Sequence, residues 1–374
     1  MRLKLGMVGG GQGAFIGGVH RIAARLDGKW ELVAGAFSSD AKRAAASAAD
    51  LGIAPDRAYS DFTEMAMEES RRPDRIDAVA IVTPNHLHAR VASAFLKAGI
   101  AVICDKPMTA TLGEAEELAA LVSETGVPFI LAQTYTGYPM VREARAMVAR
   151  GDIGQVRHVQ VEYLQDWLSG PVEQTGHKQA VWRTDPKLSG EGGCIADIGT
   201  HAVNLATFVT GLKPRAVLAD LSAFGPGRQL DDNAAVLLRF STNAKGMIWA
   251  SQVAPGTKNA LRYRVAGDLG GLAWDQENPD LLEFTPLGEM TRLLRRGEAG
   301  TSAFARTPAG HPEGYLEAFA TLYADAAVRI GRKAAPCPGH AIDLLPDAED
   351  GLEGMRFVAA CIRSSHSGGT WTPV

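Results

Sequence analysis

An apolar run, Leu3–Val8, passes directly into Gly9-Gly10-Gly11-Gln12-Gly13-Ala14 and then into a stretch of helical spacing, Val19–Leu26. A glycine cluster that follows a buried strand and opens a helix is the first turn of a βαβ unit, and little else accommodates it. Read as G-x-G-x-x-A at Gly9, Gly11 and Ala14, the first glycine permits the tight turn. The second lets the backbone approach a pyrophosphate seated on the helix N-terminus. Gly17 serves equally well as the third small residue, because the segment between Gly13 and His20 is longer than usual. Gly9, Gly11, Gln12, Gly13 and Ala14, with Phe15 and Ile16 at the helix start, are therefore candidate contacts for a dinucleotide.

The pattern repeats downstream. Trp30–Phe37, Ile76–Val82, Ile100–Cys104 and Val127–Ala132 read as further buried strands. Asp40–Leu51, His86–Ala98 and Thr111–Thr125 read as helices between them, the last two followed by Gly99 and Gly126. A β-α-β-α rhythm implies a parallel sheet covered on both faces, and right-handed crossovers make it doubly wound. After about residue 150 the rhythm changes. Met140–Arg150 and Cys194–Val209 read as helices, and Val156–Tyr163, Ala216–Ala223, Asn233–Phe240, Ala244–Gln252 and Leu261–Ala266 as strands in near succession. Strands that follow strands imply an antiparallel or mixed sheet. His311–Ile330 and Ala348–Ser364 return to helical spacing, and the Gly/Pro-rich stretch 295–312 reads as a surface loop. Two domains follow, 1–127 and 128–374, with the last helix expected to pack back on the first.

Composition excludes some partners. The 374 residues carry a formal charge of −4, which argues against nucleic acid. No apolar run reaches the roughly 18 residues of a spanning helix, and the first residues lack a secretory pattern. Cys104, Cys194, Cys337 and Cys361 show no CxxC spacing and read as reduced thiols of a cytoplasmic protein.

In an open parallel sheet, ligands gather at the carboxyl ends of the strands. The second strand ends at Phe37-Ser38-Ser39, where an acidic residue would select the free ribose hydroxyl of NAD; Asp40 comes a little late. Ser38, Ser39, Lys42 and Arg43 could instead receive a 2′-phosphate. This tips the reading toward NADP without deciding between the two cofactors. Thr83-Pro84-Asn85 follows the third strand, with His88 shortly after, and Asp105-Lys106-Pro107 follows the fourth. His86 and His88 lie two apart, which on a helix does not bring them face to face, so no metal site is expected. Asp197 and His201, four apart on an apolar helix, project from one face. A carboxylate and an imidazole so close shift each other's proton affinity, and histidine is the natural base for a carbinol proton near neutral pH.

Taken together, these residues resemble the glucose–fructose oxidoreductase / inositol dehydrogenase / rhizopine catabolism (Gfo/Idh/MocA) family across essentially the whole chain. Gly151-Asp152-Ile153-Gly154 and Val181-Trp182-Arg183 share in the resemblance. It implies an α/β chain: a doubly wound Rossmann domain followed by an α+β domain with a large open, mostly antiparallel sheet. It further implies a catalytic set of Lys106, Asp197 and His201, with Lys106, Asp105, Thr83, Pro84, Asn85 and His88 toward the cofactor. Trp182, Arg183 and Tyr135 join Lys106, Asp197 and His201 toward the substrate. Two departures stand out. The family's Glu before Lys-Pro is Asp105, and its N-x-R-x-x-P stretch is Thr134-Tyr135-Thr136-Gly137-Tyr138-Pro139, without the Asn and Arg. Tyr135 and Tyr138 line the pocket or serve the core.

The resemblance implies an NAD(P)-dependent oxidoreductase acting on a sugar, cyclitol or derivative, with no metal. The mechanism requires the Lys106 ammonium and the His201 imidazole, from separate domains, to meet over the nicotinamide. An NAD-dependent glycosidase, a non-catalytic NAD(P)-binding regulator and an imine or dihydrodiol substrate are alternatives. Burial of the open sheet implies a homodimer or homotetramer.

Overall fold

The computed structural model describes residues 2–301, 303–331 and 344–374 and divides into two compact units. The first comprises Met1–Gly137 and Tyr315–Leu352, the second Tyr138–Gly314 and Glu353–Val374. Cys337 lies outside the described residues; Cys104, Cys194 and Cys361 are free and buried.

In the first unit five strands, β1 (Leu3–Gly9), β2 (Trp30–Ala36), β3 (Ala78–Val82), β4 (Ala101–Cys104) and β5 (Phe129–Leu131), form one parallel sheet in the order β2-β1-β3-β4-β5. Every residue of β3 and β4 is buried, as expected where helices cover both faces. The helices are α1 (Phe15–Leu26), α2 (Ala41–Asp50), α3 (Phe62–Arg71), α4 (His88–Lys97) and α5 (Leu112–Thr125). Thr111 and Glu114 cap α5 reciprocally and Gly126 ends it in the left-handed conformation, as their sequence pattern dictates. α3 was not foreseen: only Met65, Ala66 and Glu69 of it are buried, too thin an apolar face to read, and its start rests on the Asp61 carboxylate.

The helix Tyr315–Gly331 completes this unit. Phe319, Leu322 and Tyr323 join the core of Leu5, Met7, Trp30 and Ile103, each large side chain gaining about 1.5–3 kcal/mol from burial. Trp30 Nε1 donates to the Tyr323 carbonyl at 2.8 Å. Sequence reading sends the last helix to the first domain. In the structure Tyr315–Gly331 belongs to the first unit, and the last helix divides: Ala348–Leu352 belongs to the first unit and Glu353–His366 to the second.

The second unit holds α6 (Pro139–Arg150), β6 (Val156–Leu164), two short helices α7 (Lys178–Arg183) and α8 (Pro186–Ser189), and α9 (Thr200–Thr210). Its sheet continues through β7 (Pro214–Ser222), β8 (Asn233–Phe240), β9 (Lys245–Ser251), β10 (Ala260–Gly267), β11 (Gly270–Asp275), β12 (Leu281–Pro286), β13 (Arg292–Arg295) and β14 (Thr372–Pro373). The strand order is β13-β12-β11-β10-β6-β9-β8-β7-β14. β6 and β9 run parallel and the remaining neighbours antiparallel.

β11 to β13 were not anticipated, because Gly270-Gly271, Pro286 and the charged Glu283 and Arg292 mask their alternation. The stretch expected as a surface loop is held from inside. Arg296 is 1% exposed and binds Asp280 Oδ1 at 2.6 Å and Glu313 Oε1 at 3.0 Å. β8 alternates cleanly: Ala234, Val236, Leu238 and Phe240 are buried, while the opposite face exposes Leu237 beside Met247 and Trp249 of β9.

Candidate active site

Five loops leave the carboxyl edge of the parallel sheet in the first unit. Strand order reverses there, between β1 and β3, which is where such sheets bind dinucleotides. In the loop after β1, Gly9 and Gly10 have φ of 78° and 68°. A Cβ on Gly9 would stand 2.5 Å from the Val82 carbonyl oxygen. A Cβ on Gly17 would stand 2.5 Å from the Cα of Gly10. Gly17 is therefore the third glycine, the one that lets helix and turn approach. Ala14 is the N-cap residue of α1 and offers no side-chain cap. The first turn of α1 thus carries no side-chain cap beside a turn closed to a Cβ at Gly9, Gly11 and Gly17, which fits a pyrophosphate.

The turn's other expected contacts divide. Phe15 is exposed and Ile16 half-buried at the helix start. Gln12 is turned toward α2: its amide donates to Ser47 Oγ at 3.2 Å and its side chain to Asp50 Oδ2 at 2.6 Å. After β2, Asp40 is spent as the cap of α2, accepting from the Arg43 amide at 2.9 Å. Ser39, Lys42 and Arg43 are exposed and Ser38 half-buried.

Two loops after β3 and β4 are tied together by His88. Sequence reading has His88 line the cofactor cleft; the ring is instead buried, with Nδ1 2.7 Å from the Pro107 carbonyl and Nε2 2.8 Å from the Thr83 carbonyl. Both nitrogens face backbone carbonyls and the neutral ring donates to one of them, so His88 positions the two loops. Burial pushes its pKa down, against the pull of the two carbonyls. Asn85 is buried, and Asp105 and Lys106 are half-buried, Asp105 accepting from the Lys106 amide at 3.0 Å. Tyr135 is buried.

In the second unit the Asp197/His201 segment departs from expectation. The continuous helix anticipated over Cys194–Val209 opens with a π-helical turn, Ile195–Gly199, before α9 begins. Such turns recur at functional sites because they re-aim side chains. Two interactions accompany it. The Asp231 carboxylate accepts from the Gly193 and Ile195 amides, each at 2.7 Å, and the Thr200 hydroxyl donates to the Ala196 carbonyl at 2.8 Å. Burial pushes the pKa of Asp231 up to about 6 despite those two donors. A Cβ on Gly193 would lie 2.1 Å from the Asp231 carbonyl, so glycine is required there.

Asp197 Oδ2 accepts from Gln252 Nε2 at 2.8 Å and from Arg183 Nε at 3.3 Å. The Arg183 guanidinium also lies 4.1 Å from the centre of the Trp182 ring. Trp182 and Arg183, expected near the substrate, are thus joined to Asp197. His201 is buried, its ring 6.1 Å from that of Tyr163. Tyr138, in contrast, is core: it packs edge-on against Trp274 and accepts from Gln276. Gln252, Gln165 and Asp231 were missed, since single amides and acids at strand ends carry no spacing signal. Among the described residues, no group of three or more His, Cys, Asp or Glu side chains could hold a metal, and no helix is long and apolar enough to cross a membrane.

Comparison with known proteins agrees with this geometry. Residues 3–133 match the oxidoreductase family NAD-binding Rossmann fold, and residues 141–273 the GFO/IDH/MocA C-terminal domain. The chain is 32% identical over 99% of its length to 96% of uncharacterized oxidoreductase YfiI of Bacillus subtilis. The chain belongs to the GFO/IDH/MocA oxidoreductase family. A crystal structure of an oxidoreductase from Sinorhizobium meliloti superposes with a TM-score of 0.89 at 52% identity, covering 99% of each chain. Another family structure, an inositol dehydrogenase homolog from Azotobacter vinelandii complexed with NADH and myo-inositol, gives a TM-score of 0.89 at 33% identity over 100% of this chain and 98% of that one. The chain is thus an NAD(P)-binding oxidoreductase with a parallel Rossmann sheet and a large, mostly antiparallel second sheet.

Proposed function

We propose that this protein is an NAD(P)-dependent dehydrogenase of a sugar, cyclitol or close relative, in which Lys106, Asp197 and His201 act on one carbinol. The observation that carries the reading is the carboxylate of Asp197, held by Arg183 and Gln252 one turn before the buried His201. The myo-inositol in the Azotobacter vinelandii relative's complex supports a polyol substrate.

A bound nicotinamide would supply the acceptor for the hydride of the carbinol carbon. His201 takes the hydroxyl proton, the role an imidazole fills near neutral pH. The Lys106 ammonium donates to the same oxygen and stabilises the negative charge that develops on it. Asp197 orients the substrate and, as a neighbouring anion, favours the protonated imidazole once the proton has moved. Arg183, Trp182 and Tyr135 flank the substrate.

Between the two cofactors we infer NADP. Asp40 is occupied in capping α2, and Ser38, Ser39, Lys42 and Arg43 remain at the end of β2 to receive a 2′-phosphate. A homodimer or homotetramer formed through the sheet would cover Leu237, Met247 and Trp249; a monomer by light scattering would remove this part. The buried free thiols fit a cytoplasmic protein.

The test is a panel of sugars, inositols and their phosphates with NAD⁺ and NADP⁺, followed at the nicotinamide absorbance. At least one polyol should be turned over, faster with NADP⁺. Cofactor binding with no polyol oxidised across the panel would contradict the reading.

A further inference from the structure

We propose that a one-way chain of carboxamides, ordered by the indole N–H of Trp167, obliges Gln252 to donate to Asp197 and makes Gln252 a positioning residue for that carboxylate. The inference rests on the catalytic reading of Asp197 given above.

The direction of each link follows from its neighbour. An indole nitrogen can only donate. Trp167 Nε1 lies 3.0 Å from one side-chain atom of Gln165, which must therefore be the oxygen. The Gln165 amide nitrogen then faces Asn259 Oδ1 at 2.9 Å, and that oxygen also accepts from the Tyr163 hydroxyl at 2.8 Å. Asn259 in turn donates through Nδ2 to Gln276 Oε1 at 3.2 Å, and Gln276 donates through Nε2 to the Tyr138 oxygen at 3.1 Å. No amide in the series can turn over without setting two acceptors or two donors against each other.

Gln252 is caught between two acceptors. Its Nε2 lies 2.8 Å from Asp197 Oδ2 and, at the outer limit of a hydrogen bond, 3.5 Å from Gln165 Oε1. A carboxylate only accepts, and the Gln165 oxygen has been fixed from the far side by Trp167. Reversed, Gln252 would aim its own oxygen at both. Gln252 is 2% exposed, so no water shell is available to soften the mismatch. Gln165 Oε1, fixed by Trp167, thus reinforces from a second side the orientation that the Asp197 carboxylate requires of Gln252.

Charged and titratable groups reach this segment from several elements among the described residues. Arg183 comes from α7, His201 and Cys194 from its own segment, and Asp231 and Asp232 from the loop leading into β8; Tyr163 of β6 stands against His201. Gln252 meets the same carboxylate oxygen as Arg183. Two donors on one oxygen fix the plane of the carboxylate.

Two variants test this in the full chain with cofactor present. Gln252→Glu keeps the shape and replaces the donor by an acceptor. Trp167→Phe keeps a ring and removes the N–H that orders the chain. With the polyol found most active, Gln252→Glu should lower kcat/KM by roughly 10–100-fold and Trp167→Phe by about 3–10-fold, with cofactor affinity unchanged. The Gln252→Glu deficit should shrink as pH is lowered, because the introduced carboxyl can donate once protonated; a purely structural defect has no such acid recovery. In an Asp197→Asn background, neither change should cost anything further. The proposal is overturned if Gln252→Glu matches the parent, if its loss ignores pH, or if the same loss persists without the Asp197 carboxylate. Full activity of Asp197→Asn alone would instead overturn the catalytic reading on which this one stands. Should Gln252→Glu fold poorly by its thermal midpoint, Trp167→Phe, alone and with Asp197→Asn, decides.

Discussion

His88 Nδ1 stands 2.7 Å from the carbonyl oxygen of Pro107, across the gap between two loops of the parallel sheet edge. With Nε2 on the Thr83 carbonyl, one ring joins the loop carrying Asn85 to the loop carrying Lys106. His88→Asn has too short a side chain to bridge both. Cofactor affinity should fall about 3–10-fold, the worth of one or two buried hydrogen bonds. Fluorescence titration with NADH and NADPH measures it; unchanged affinity would show that the bridge is idle.

Acid should weaken the first unit. Burial lowers the pKa of both His20 and His88 below the ordinary 6.5. The unfolded chain therefore binds protons that the folded chain refuses, and stability is lost as pH falls through the unfolded value. The thermal midpoint should drop between about pH 7.5 and pH 6, and a His20→Phe, His88→Asn double variant should show a flatter profile over that range. A parent profile with no slope there would contradict the assignment.

Asp231 works in the opposite sense. Its carboxyl is pushed up to about 6 in the folded chain, from 3.8, so its contribution is largest at low pH and declines as pH rises through that interval. Asp231→Ala removes the acceptor of two amides at the start of the π turn and should cost about 1–2 kcal/mol. The deficit, read from denaturant midpoints, should be greater near pH 4.5 than at pH 7.5. Turnover should fall as well, since Asp197 follows that turn. A deficit that grows with pH would reverse the account.

Gly17 and Gly13 separate two kinds of glycine. A methyl group on Gly17 meets the Cα of Gly10 at 2.5 Å, whereas nothing lies within 4 Å of one on Gly13, where only the φ of 76° resists it. Gly17→Ala should destabilise by about 1–3 kcal/mol and weaken cofactor binding. Gly13→Ala should cost about 1 kcal/mol, the ordinary price of a left-handed residue with a side chain. Thermal midpoints and cofactor titration read both; equal effects would mean that Gly17 is not the close-packing glycine.

The parallel half of the fold was legible because strictly buried strands and capped helices leave strong local signals: Leu3–Val8, Ile76–Val82, and Thr111 with Glu114. β11 to β13 were hidden because their sheet leaves one face to solvent and their edges carry Gly, Pro and charge. At the site, Asp197 and His201 could be singled out by residue type and spacing, and Arg183 by the family resemblance. The π turn could not, since it accompanies Asp231, 34 positions beyond Asp197 in the chain, and the hydroxyl of Thr200. Gln252 was equally silent: a lone amide gains meaning only through the partner it faces.

The most direct test of the central claim is single-turnover hydride transfer in Lys106→Met, His201→Gln and the double variant, with cofactor saturating and followed at the nicotinamide absorbance. Each single change should slow transfer by roughly 10²–10⁴-fold while the cofactor still binds, and the double variant should be at least as slow. Hydride transfer at the parent rate in the double variant would contradict the assignment of Lys106 and His201 to one carbinol.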